Sequence, residues 1–409
     1  MKINRRTFVA GTAGVISQVL IPRYNLFAQA PGQANDDFFV LIRVQGGMDV
    51  TLGLDPQVHL GTDQTDIFIE YSADQIFVQD TLKLAPAASP LIPYAKNLAT
   101  INGVFMSTSD LGHQEGNRYS ASGSARTTSM TLAQGLGFGL GTGPYGVLVS
   151  GATETTSATV VSRLDDVLNN RVSESATSAE VETFAERNDG KSAFTSAQKA
   201  FITASGVGLS VQQALEQFRR EGTLAERHAM AAAFATGAAR QAEIFISNFG
   251  LDSHQNHEGN HLGAQRQIWT SVADIFRTFT ATPYKQGSLF DRTTFMVVGE
   301  FSRTPALNAS RGKDHNNYTN SVLLAGRGIN GAKSFGSSMV VGRNKGPNGA
   351  SLHMAAPVDF VTGLRAKTRA GADLVRPENI ARTISELFGN PVGLDVLSKT
   401  KIIPGVIKT

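Results

Sequence analysis

The acidic and histidine residues of this chain gather in a few short polar stretches, and their types suit the binding of divalent metal ions. Three of the eight histidines fall within residues 254–261, closely behind Asp252. Imidazole nitrogens and carboxylate oxygens are ligands of Zn and Mn, and carboxylates also suit Ca and Mg. The alternative is a polar loop with fortuitous histidine spacing. The candidate metal ligands are Asp49, Asp252, His254, His257, Asp314 and His315.

The same stretches supply groups for hydrolytic chemistry. One or two divalent ions can activate a hydroxyl or a water molecule and stabilise charge on a phosphoryl or sulfuryl group. Glu300 is then a ligand or a base, His113 is a further catalytic group, and Arg303 is a bidentate clamp for the anion. A hydroxyl nucleophile is expected in residues 107–123, where Ser120 is eligible by type, as are several neighbouring residues. The alternative for any one of these serines is an ordinary serine-rich loop.

Apolar runs precede most of these polar stretches. Residues 38–44, 98–105, 293–298 and 321–325 are short and almost continuously apolar, which predicts strands buried on both faces. Charged side chains directly after such strands lie where open α/β sheets place their sites. Asp49 follows the first run across two glycines, either as a site residue or as the cap of the next segment.

The remaining patterns predict one α/β domain over residues 31–409. Residues 132–143 are glycine-rich and predict a flexible crossing loop. Residues 153–249 are rich in Ala, Ser, Glu and Arg and carry apolar residues at helical spacing, which indicates a largely helical insertion or cap. Helices are also predicted over residues 268–279 and 377–388, the second with proline at its start and glycine after its end.

Residues 1–30 contain the three parts of a twin-arginine signal peptide in order. Arg5 and Arg6 lie in an Asn-Arg-Arg-Thr-Phe sequence, an apolar region follows, and an Ala-Gln-Ala sequence ending at Ala30 supplies a cleavage site. We therefore expect export by the Tat translocase to the periplasm or out of the cell, with no transmembrane helix in the mature chain. The alternatives are a soluble N-terminal helix and an apolar region retained as a membrane anchor.

Charge and motifs argue against nucleic acid as a partner. Residues 1–30 hold four basic residues and no acid, and removing these four charges from the net charge of +3 leaves −1. The remainder therefore lacks the basic excess of a nucleic-acid-binding protein. Residues 326–331 match the spacing of a dinucleotide-binding loop, but no amphipathic helix or suitably placed acid follows, so a glycine turn is expected. The absence of cysteine suits an exported protein that does not rely on disulfides.

Taken together, the motifs resemble the bacterial twin-arginine-exported proteins of the DUF1501 family, in the alkaline phosphatase/sulfatase superfamily. The resemblance covers nearly the whole chain in order. It implies an alkaline phosphatase-like fold, in which a parallel sheet lies between helices and two metals bind at the strand ends. The motifs that carry it are Arg5-Arg6, QGGMD at residues 45–49, DSH at 252–254, GEFSRTP at 299–305, KDH at 313–315 and AGRG at 325–328.

The resemblance also implies roles for individual residues. Asp49 corresponds to the acid at the end of the first strand that binds one metal. Asp252 with His254 or His257 corresponds to the pair that holds the other metal. His315 corresponds to the later histidine of that second site.

The sequence departs from the superfamily at two places. Glu300 stands where the superfamily has an Asp-His pair, and no serine or threonine of residues 107–123 matches a nucleophile motif. The expected function is an exported metal-dependent hydrolase of phosphate or sulfate esters, acting on a small anionic ester. The two departures favour an alternative, a non-catalytic envelope or surface-binding protein that keeps the hydrolase fold.

Overall fold

The computed structural model describes most of the chain beyond its first 36 residues. The predicted leader at residues 1–30 and a large part of residues 153–249 lie outside the described residues. The described residues are 37–58, 66–122, 131–140, 143, 145–150, 161–169, 207–220, 222, 224–247, 250–342, 351–367, 372–389 and 400–408.

The described residues form sixteen strands and seven α-helices. The strands are β1 (Phe38–Val44), β2 (Phe77–Gln79), β3 (Leu82–Leu84), β4 (Leu98–Asn102), β5 (Val147–Val149), β6 (Val161–Arg163), β7 (Gln241–Ile246), β8 (Pro283–Tyr284), β9 (Gly287–Ser288), β10 (Thr293–Gly299), β11 (Ser302–Arg303), β12 (His315–Asn316), β13 (Ser321–Gly326), β14 (Lys333–Gly336), β15 (Ser338–Val341) and β16 (Leu352–Ala355). The helices are α1 (His113–Ser122), α2 (Leu132–Leu140), α3 (Leu164–Leu168), α4 (Val207–Arg219), α5 (Glu226–Ala235), α6 (His261–Ala281) and α7 (Pro377–Leu387).

A mostly parallel sheet of eight strands lies at the centre. Its order is β14-β4-β13-β10-β1-β7-β5-β6. β13 pairs antiparallel with both β4 and β10, and the other neighbouring pairs are parallel. Seven of these strands therefore run in one direction, and β13 runs in the other. The predicted α/β fold with a mostly parallel sheet and helices is confirmed at this level.

Helices cover both faces of the sheet. Along β1, Val40 and Ile42 pack into a core that includes side chains of α5 and α6, whereas Leu41 packs into the opposite core with α1, α2 and α7. This alternation follows from strand geometry, because successive side chains point to opposite faces. The Phe295 ring of β10 lies 4.9 Å from that of Phe276 on α6, a pair geometry that adds about 0.5–1.5 kcal/mol to area burial.

The strands and helices predicted from apolar runs are confirmed, but three other predictions differ from the structure. Residues 107–123 were expected as a loop, yet α1 begins at His113. Residues 132–143 were expected as a flexible loop, yet α2 occupies most of them, because burial against the sheet overrides the low helix propensity of glycine. The range 153–249 contributes β6 and β7 as well as helices, and β7 pairs directly with β1. Its described part therefore belongs to the main domain.

Within the described part of the chain, no helix combines the length and the apolar character needed to cross a membrane.

Candidate metal centre

One edge of the sheet collects the polar loops. The C-terminal ends of β4, β7 and β10 lie at this edge, and so does the start of β13, because β13 runs in the opposite direction. The connection after β4 leads to His113, the loop after β7 carries Asp252 and His254, and the segment before β13 carries His315. Because β13 is antiparallel to its neighbours, the segment before β13 lies at the same edge as the loops after β4, β7 and β10.

Four side chains at this edge form a cluster that we call the metal cluster. His113, Asp252, His254 and His315 offer ligand atoms that all lie within 4.8 Å of one another. The Nε2 atoms of His254 and His315 are 3.1 Å apart. The Asp252 carboxylate lies 3.4 Å from Nε2 of His254 and 3.5 Å from Nε2 of His113. The side chains of Asp252 and His254 are 53% and 45% exposed, so the metal cluster is open to solvent.

Each imidazole of the metal cluster has its second ring nitrogen against a carboxylate. The Nδ1 to carboxylate pairs are His113–Glu300 at 2.5 Å, His254–Asp314 at 2.9 Å and His315–Asp110 at 3.3 Å. In the tautomer that carries its proton on Nδ1, each ring donates to its carboxylate and presents the Nε2 lone pair to the metal cluster. Histidine ligands in metal sites are oriented by carboxylates in the same way.

The donor set of the metal cluster fits one divalent transition-metal ion. Two Nε2 lone pairs 3.1 Å apart repel each other, and an ion bound by both relieves that repulsion. Three imidazole nitrogens and one carboxylate oxygen suit Zn, Mn or Fe, whereas Ca and Mg prefer ligand sets made of oxygen. The exposed side leaves room for a further ligand, as in catalytic rather than structural zinc sites.

The charges around the metal cluster favour ionised aspartates. Burial raises the pKa of Asp252, but the hydrogen bond and charge of Arg303 outweigh burial and leave the pKa below its usual value. Burial likewise raises the pKa of Asp314, and two side-chain hydrogen bonds bring it below its usual value. The pKa of Glu300 is raised, because its side chain is fully buried. Burial and the charge of Arg303 lower the pKa of His315.

Arg303 has a buried guanidinium that is bonded to protein groups beside the metal cluster. Its guanidinium donates to Asp252 Oδ1 at 2.8 Å, to the Lys313 carbonyl oxygen at 3.0 Å and to the Gly47 carbonyl oxygen at 3.2 Å, and also to that of Gly46. The side chain is fully buried. The predicted role of anion clamp therefore does not agree with its contacts, which join Asp252 to the loop after β1.

A second polar cluster is buried beside the metal cluster. Asp49 Oδ2 accepts a hydrogen bond from Lys313 Nζ at 2.5 Å and lies 3.4 Å from Nε2 of His257. Nδ1 of His257 and Nδ1 of His261 lie 2.8 Å and 2.9 Å from the hydroxyl of Ser253. All five side chains belong to buried residues. We call this set the lysine cluster.

The lysine cluster places Asp49 and His257 apart from the metal cluster that was predicted to include them. Asp49 Oδ2 already accepts a hydrogen bond from the ammonium group of Lys313. Asp49 also accepts from the backbone and hydroxyl of Thr51, which is the capping role given as its alternative. Burial raises the pKa of Asp49, but Lys313 and two histidines hold it well below its usual value. Burial lowers the pKa of both His257 and His261, which keeps them neutral.

A chain of polar contacts runs from the metal cluster into the sheet. Asn117 on α1 donates to Glu300 Oε1 at 3.2 Å and accepts from Arg43 Nε at 2.6 Å. Arg43 on β1 in turn pairs with the buried Glu243 on β7. Glu300, predicted as a ligand or a base, therefore contacts the metal cluster through His113 and lies outside its four ligand side chains.

Gly312 lets the loop before β13 lie directly on the backbone of His254. A Cβ atom built on Gly312 would lie 1.9 Å from the carbonyl carbon of His254. The backbone hydrogen bonds that join the two segments include Lys313 to Ser253 at 2.9 Å and His257 to Arg311 at 2.8 Å. This contact fixes the separation of His254 and His315, which the two segments carry.

Ser120, the predicted nucleophile, faces its own helix. Its hydroxyl donates to the carbonyl oxygen of Asn117 at 3.1 Å, and the residue is 4% exposed. Hydroxyls of Thr108, Ser109 and Tyr318 line a cavity of about 380 Å³ that includes His254 and His315. We call it the hydroxyl cavity. The hydroxyl groups that share a cavity with His254 and His315 therefore come from the start of the predicted polar stretch and from the segment before β13.

Four residues of the site carry weak sequence signals or none. Lys313 directly precedes two candidate residues, and His261 follows His257 by one helical turn, so both had a pattern that could have identified them. Asp110 and Asn117 are short polar residues among many in the same stretch. Only the fold reveals that they contact a histidine and its partner.

Comparison with known proteins identifies a family. Residues 144–365, more than half of the chain, match the family described as "Protein of unknown function (DUF1501)". No curated protein matches the chain significantly. A solved structure titled "Crystal structure of Ps i-CgsB in complex with k-i-k-neocarrahexaose" aligns with 90% of this chain and 74% of that chain, at 8% sequence identity and a TM-score of 0.35. A likeness at this level defines neither the fold nor the activity.

Proposed function

This chain belongs to the DUF1501 family, and we propose that it is an exported metal-dependent hydrolase of phosphate or sulfate esters. The proposal rests on one observation: three imidazoles and one carboxylate converge in the metal cluster. The Nδ1 atom of each imidazole also contacts a further carboxylate. The location also supports it, because open α/β sheets place their sites at the strand ends.

The residues of the metal cluster have separate tasks in this proposal. A divalent ion held by these residues would supply Lewis acidity toward the ester and would activate a water molecule. Three carboxylates outside the cluster orient the imidazoles and keep their protons on Nδ1. Arg303 keeps Asp252 ionised and in place. The ligands are His113, Asp252, His254 and His315.

Metal content tests the site. We expect about one Zn, Mn or Fe ion per wild-type chain by plasma mass spectrometry. The double variant Asp252→Ala/His315→Ala removes two of the four donors and is expected to lose the ion. Asp274→Ala, which removes an aspartate paired with Arg277 on α6, is the matched control and is expected to keep it. A wild-type chain without metal would overturn the hydrolase proposal.

The alternative is a metal-binding envelope or surface-binding protein without turnover. It is favoured by Ser120 and Arg303, whose side chains are bound to protein groups and do not face a substrate. A panel of aryl and alkyl phosphate and sulfate esters distinguishes the two functions. Metal-dependent turnover that disappears in Asp252→Ala/His315→Ala supports the hydrolase. A fully metal-loaded protein that turns over none of the panel supports the alternative.

We propose export by the twin-arginine route from the sequence of residues 1–30. Arg5→Lys/Arg6→Lys keeps the charge but removes the signature, and we expect the full chain to stay in the cytoplasm. Arg23→Lys is the matched control outside the signature. Cell fractionation measures the outcome, and equal export of both variants would contradict the proposal.

A further inference from the structure

A second cavity reaches the metal cluster through Asp252. Its volume is about 460 Å³, within the range of small-molecule sites. It lies at the start of α6 and is separate from the hydroxyl cavity in its lining. We call it the amide cavity, because amide side chains dominate it. Its amide side chains are those of Gln255, Asn256, Asn260 and Gln267.

The lining of the amide cavity argues against two classes of ligand. Asp252 is the single charged residue among its lining residues, so no lysine or arginine is present there to bind an anion. Ala264 is the single apolar side chain, so a hydrocarbon or aromatic ligand would find little surface to bury. A neutral polar ligand remains.

Amide side chains match one kind of neutral group closely. An asparagine or glutamine offers both a donor and an acceptor, and an alcohol hydroxyl also donates and accepts. Several amides around one cavity can therefore satisfy several hydroxyls of one ligand. This complementarity is characteristic of a sugar or another polyol.

Three glycines keep the amide cavity open. A Cβ atom built on Gly250, Gly259 or Gly263 meets no atom within 4 Å, so the space above each glycine is empty. The helical backbone at Gly263 has no positive φ, which means that a side chain can be added there without strain. At Gly263 the cavity is therefore kept open by the absence of a side chain that the backbone could carry, whereas the positive φ of Gly250 and Gly259 favours glycine for the backbone itself.

We propose that the amide cavity binds the neutral, hydroxyl-rich alcohol portion of the ester, a sugar or a polyol. This inference rests on the proposed function, because Asp252 belongs both to the amide cavity and to the metal cluster. The anionic part of the ester then lies at the metal cluster while the alcohol portion lies beside it. The hydroxyl cavity is less neutral than the amide cavity, because two carboxylates and two histidines line it.

Saturation-transfer NMR on the metal-loaded full chain tests the inference. The probes are myo-inositol and cyclohexanol, which share a six-membered carbon ring and differ in hydroxyl number. We expect a signal from myo-inositol and none from cyclohexanol. Gly263→Leu fills the amide cavity, and we expect myo-inositol to bind at least about tenfold more weakly, which corresponds to a loss of about 1.4 kcal/mol.

Two further variants keep the test decisive. Thr270→Leu adds a side chain of the same type two turns along the exposed face of α6, outside the cavity, and is expected to bind like the wild type. Gln267→Ala removes one amide from an exposed position without adding volume, and we expect binding about fivefold weaker. Melting curves identify any variant that fails to fold.

The outcomes separate this inference from the proposed function. If myo-inositol binds, Gly263→Leu abolishes this binding and no ester is turned over, the cavity inference is supported and the hydrolase proposal is contradicted. Turnover of esters without a myo-inositol signal overturns the cavity inference alone. Binding that survives in Gly263→Leu, or equal signals from myo-inositol and cyclohexanol, also overturns it.

Discussion

The nitrogen that a histidine turns away from the metal cluster affects how tightly the other nitrogen binds an ion. Glu300 contacts Nδ1 of His113 from a buried position, and burial raises its pKa. Glu300→Gln keeps the shape and removes the charge. We expect metal affinity to fall by about 10–100-fold with little loss of stability. Competition with a chromophoric chelator measures it.

The control for Glu300→Gln is Glu115→Gln, which makes the same change at an exposed position of α1. We expect its metal affinity to equal that of the wild type. If both variants bind the ion equally well, Glu300 does not act through His113.

Lys313 stabilises the fold through Asp49, since both side chains are fully buried. Lys313→Met leaves the Asp49 carboxylate buried without its partner, and we expect a loss of about 3–5 kcal/mol in the unfolding free energy of the metal-free protein. Asp49→Asn/Lys313→Met removes both charges and is expected to recover much of that loss. Urea unfolding measures both.

Lys333→Met is the control for the lysine cluster, because Lys333 forms an exposed pair with Asp80. Such pairs contribute about 0–1 kcal/mol. A single variant at Lys313 that is as stable as the double variant would show that the buried carboxylate needs no partner.

Between elements, the contact of the loop before β13 with the loop after β7 decides whether the metal cluster assembles. Gly312→Ala places a methyl group against the His254 carbonyl, so one loop must move. We expect a loss of about 1–3 kcal/mol in stability and a weaker metal site. Calorimetry and metal content measure these effects.

Gly342→Ala is the matched control, because a Cβ atom on Gly342 meets no atom within 4 Å. We expect wild-type stability and metal content. A full complement of metal in Gly312→Ala would show that the two loops adjust without separating His254 from His315.

For the whole molecule, stability should decrease as the pH falls, starting near neutrality. His257 and His261 have folded-state pKa values below the ordinary 6.5, so below pH 6.5 the unfolded chain binds more protons than the folded chain. The contribution of these two histidines to the unfolding free energy is therefore complete above pH 6.5. It falls as the pH decreases toward their folded-state pKa values, by at most about 1.4 kcal/mol per pH unit for each histidine. Asp49 adds a further loss below 3.8, because its folded pKa is depressed.

Urea unfolding of the metal-free protein between about pH 7.5 and pH 5.5 measures this dependence. His257→Gln/His261→Gln removes both groups, and we expect a smaller slope. An unchanged slope would mean that the lysine cluster accepts protons without cost in the folded state.

The central strands were predictable because burial on both faces leaves continuous apolar runs. The glycine-rich α2 was not, because packing rather than local propensity makes it helical. The presence of β7 next to β1 was also not predictable, because pairing between strands so distant in the sequence leaves no local pattern.

For the site, residue type identified Asp252, His254 and His315, but it could not separate His254 from His257. That distinction depends on the conformation of the loop after β7, which buries His257 in the lysine cluster with Lys313. The role of a charged residue depends on its neighbours in space, which spacing along the chain does not define.

The buried pair of Lys313 and Asp49 leads us to expect folding without a metal ion. Because Lys313 neutralises Asp49 within the protein, the core can close before any ion arrives. The exposed metal cluster can then be filled in a finished protein. Under the export proposed above, the compartment where the folded chain meets the ion, rather than the one where the chain was synthesised, would decide which ion binds.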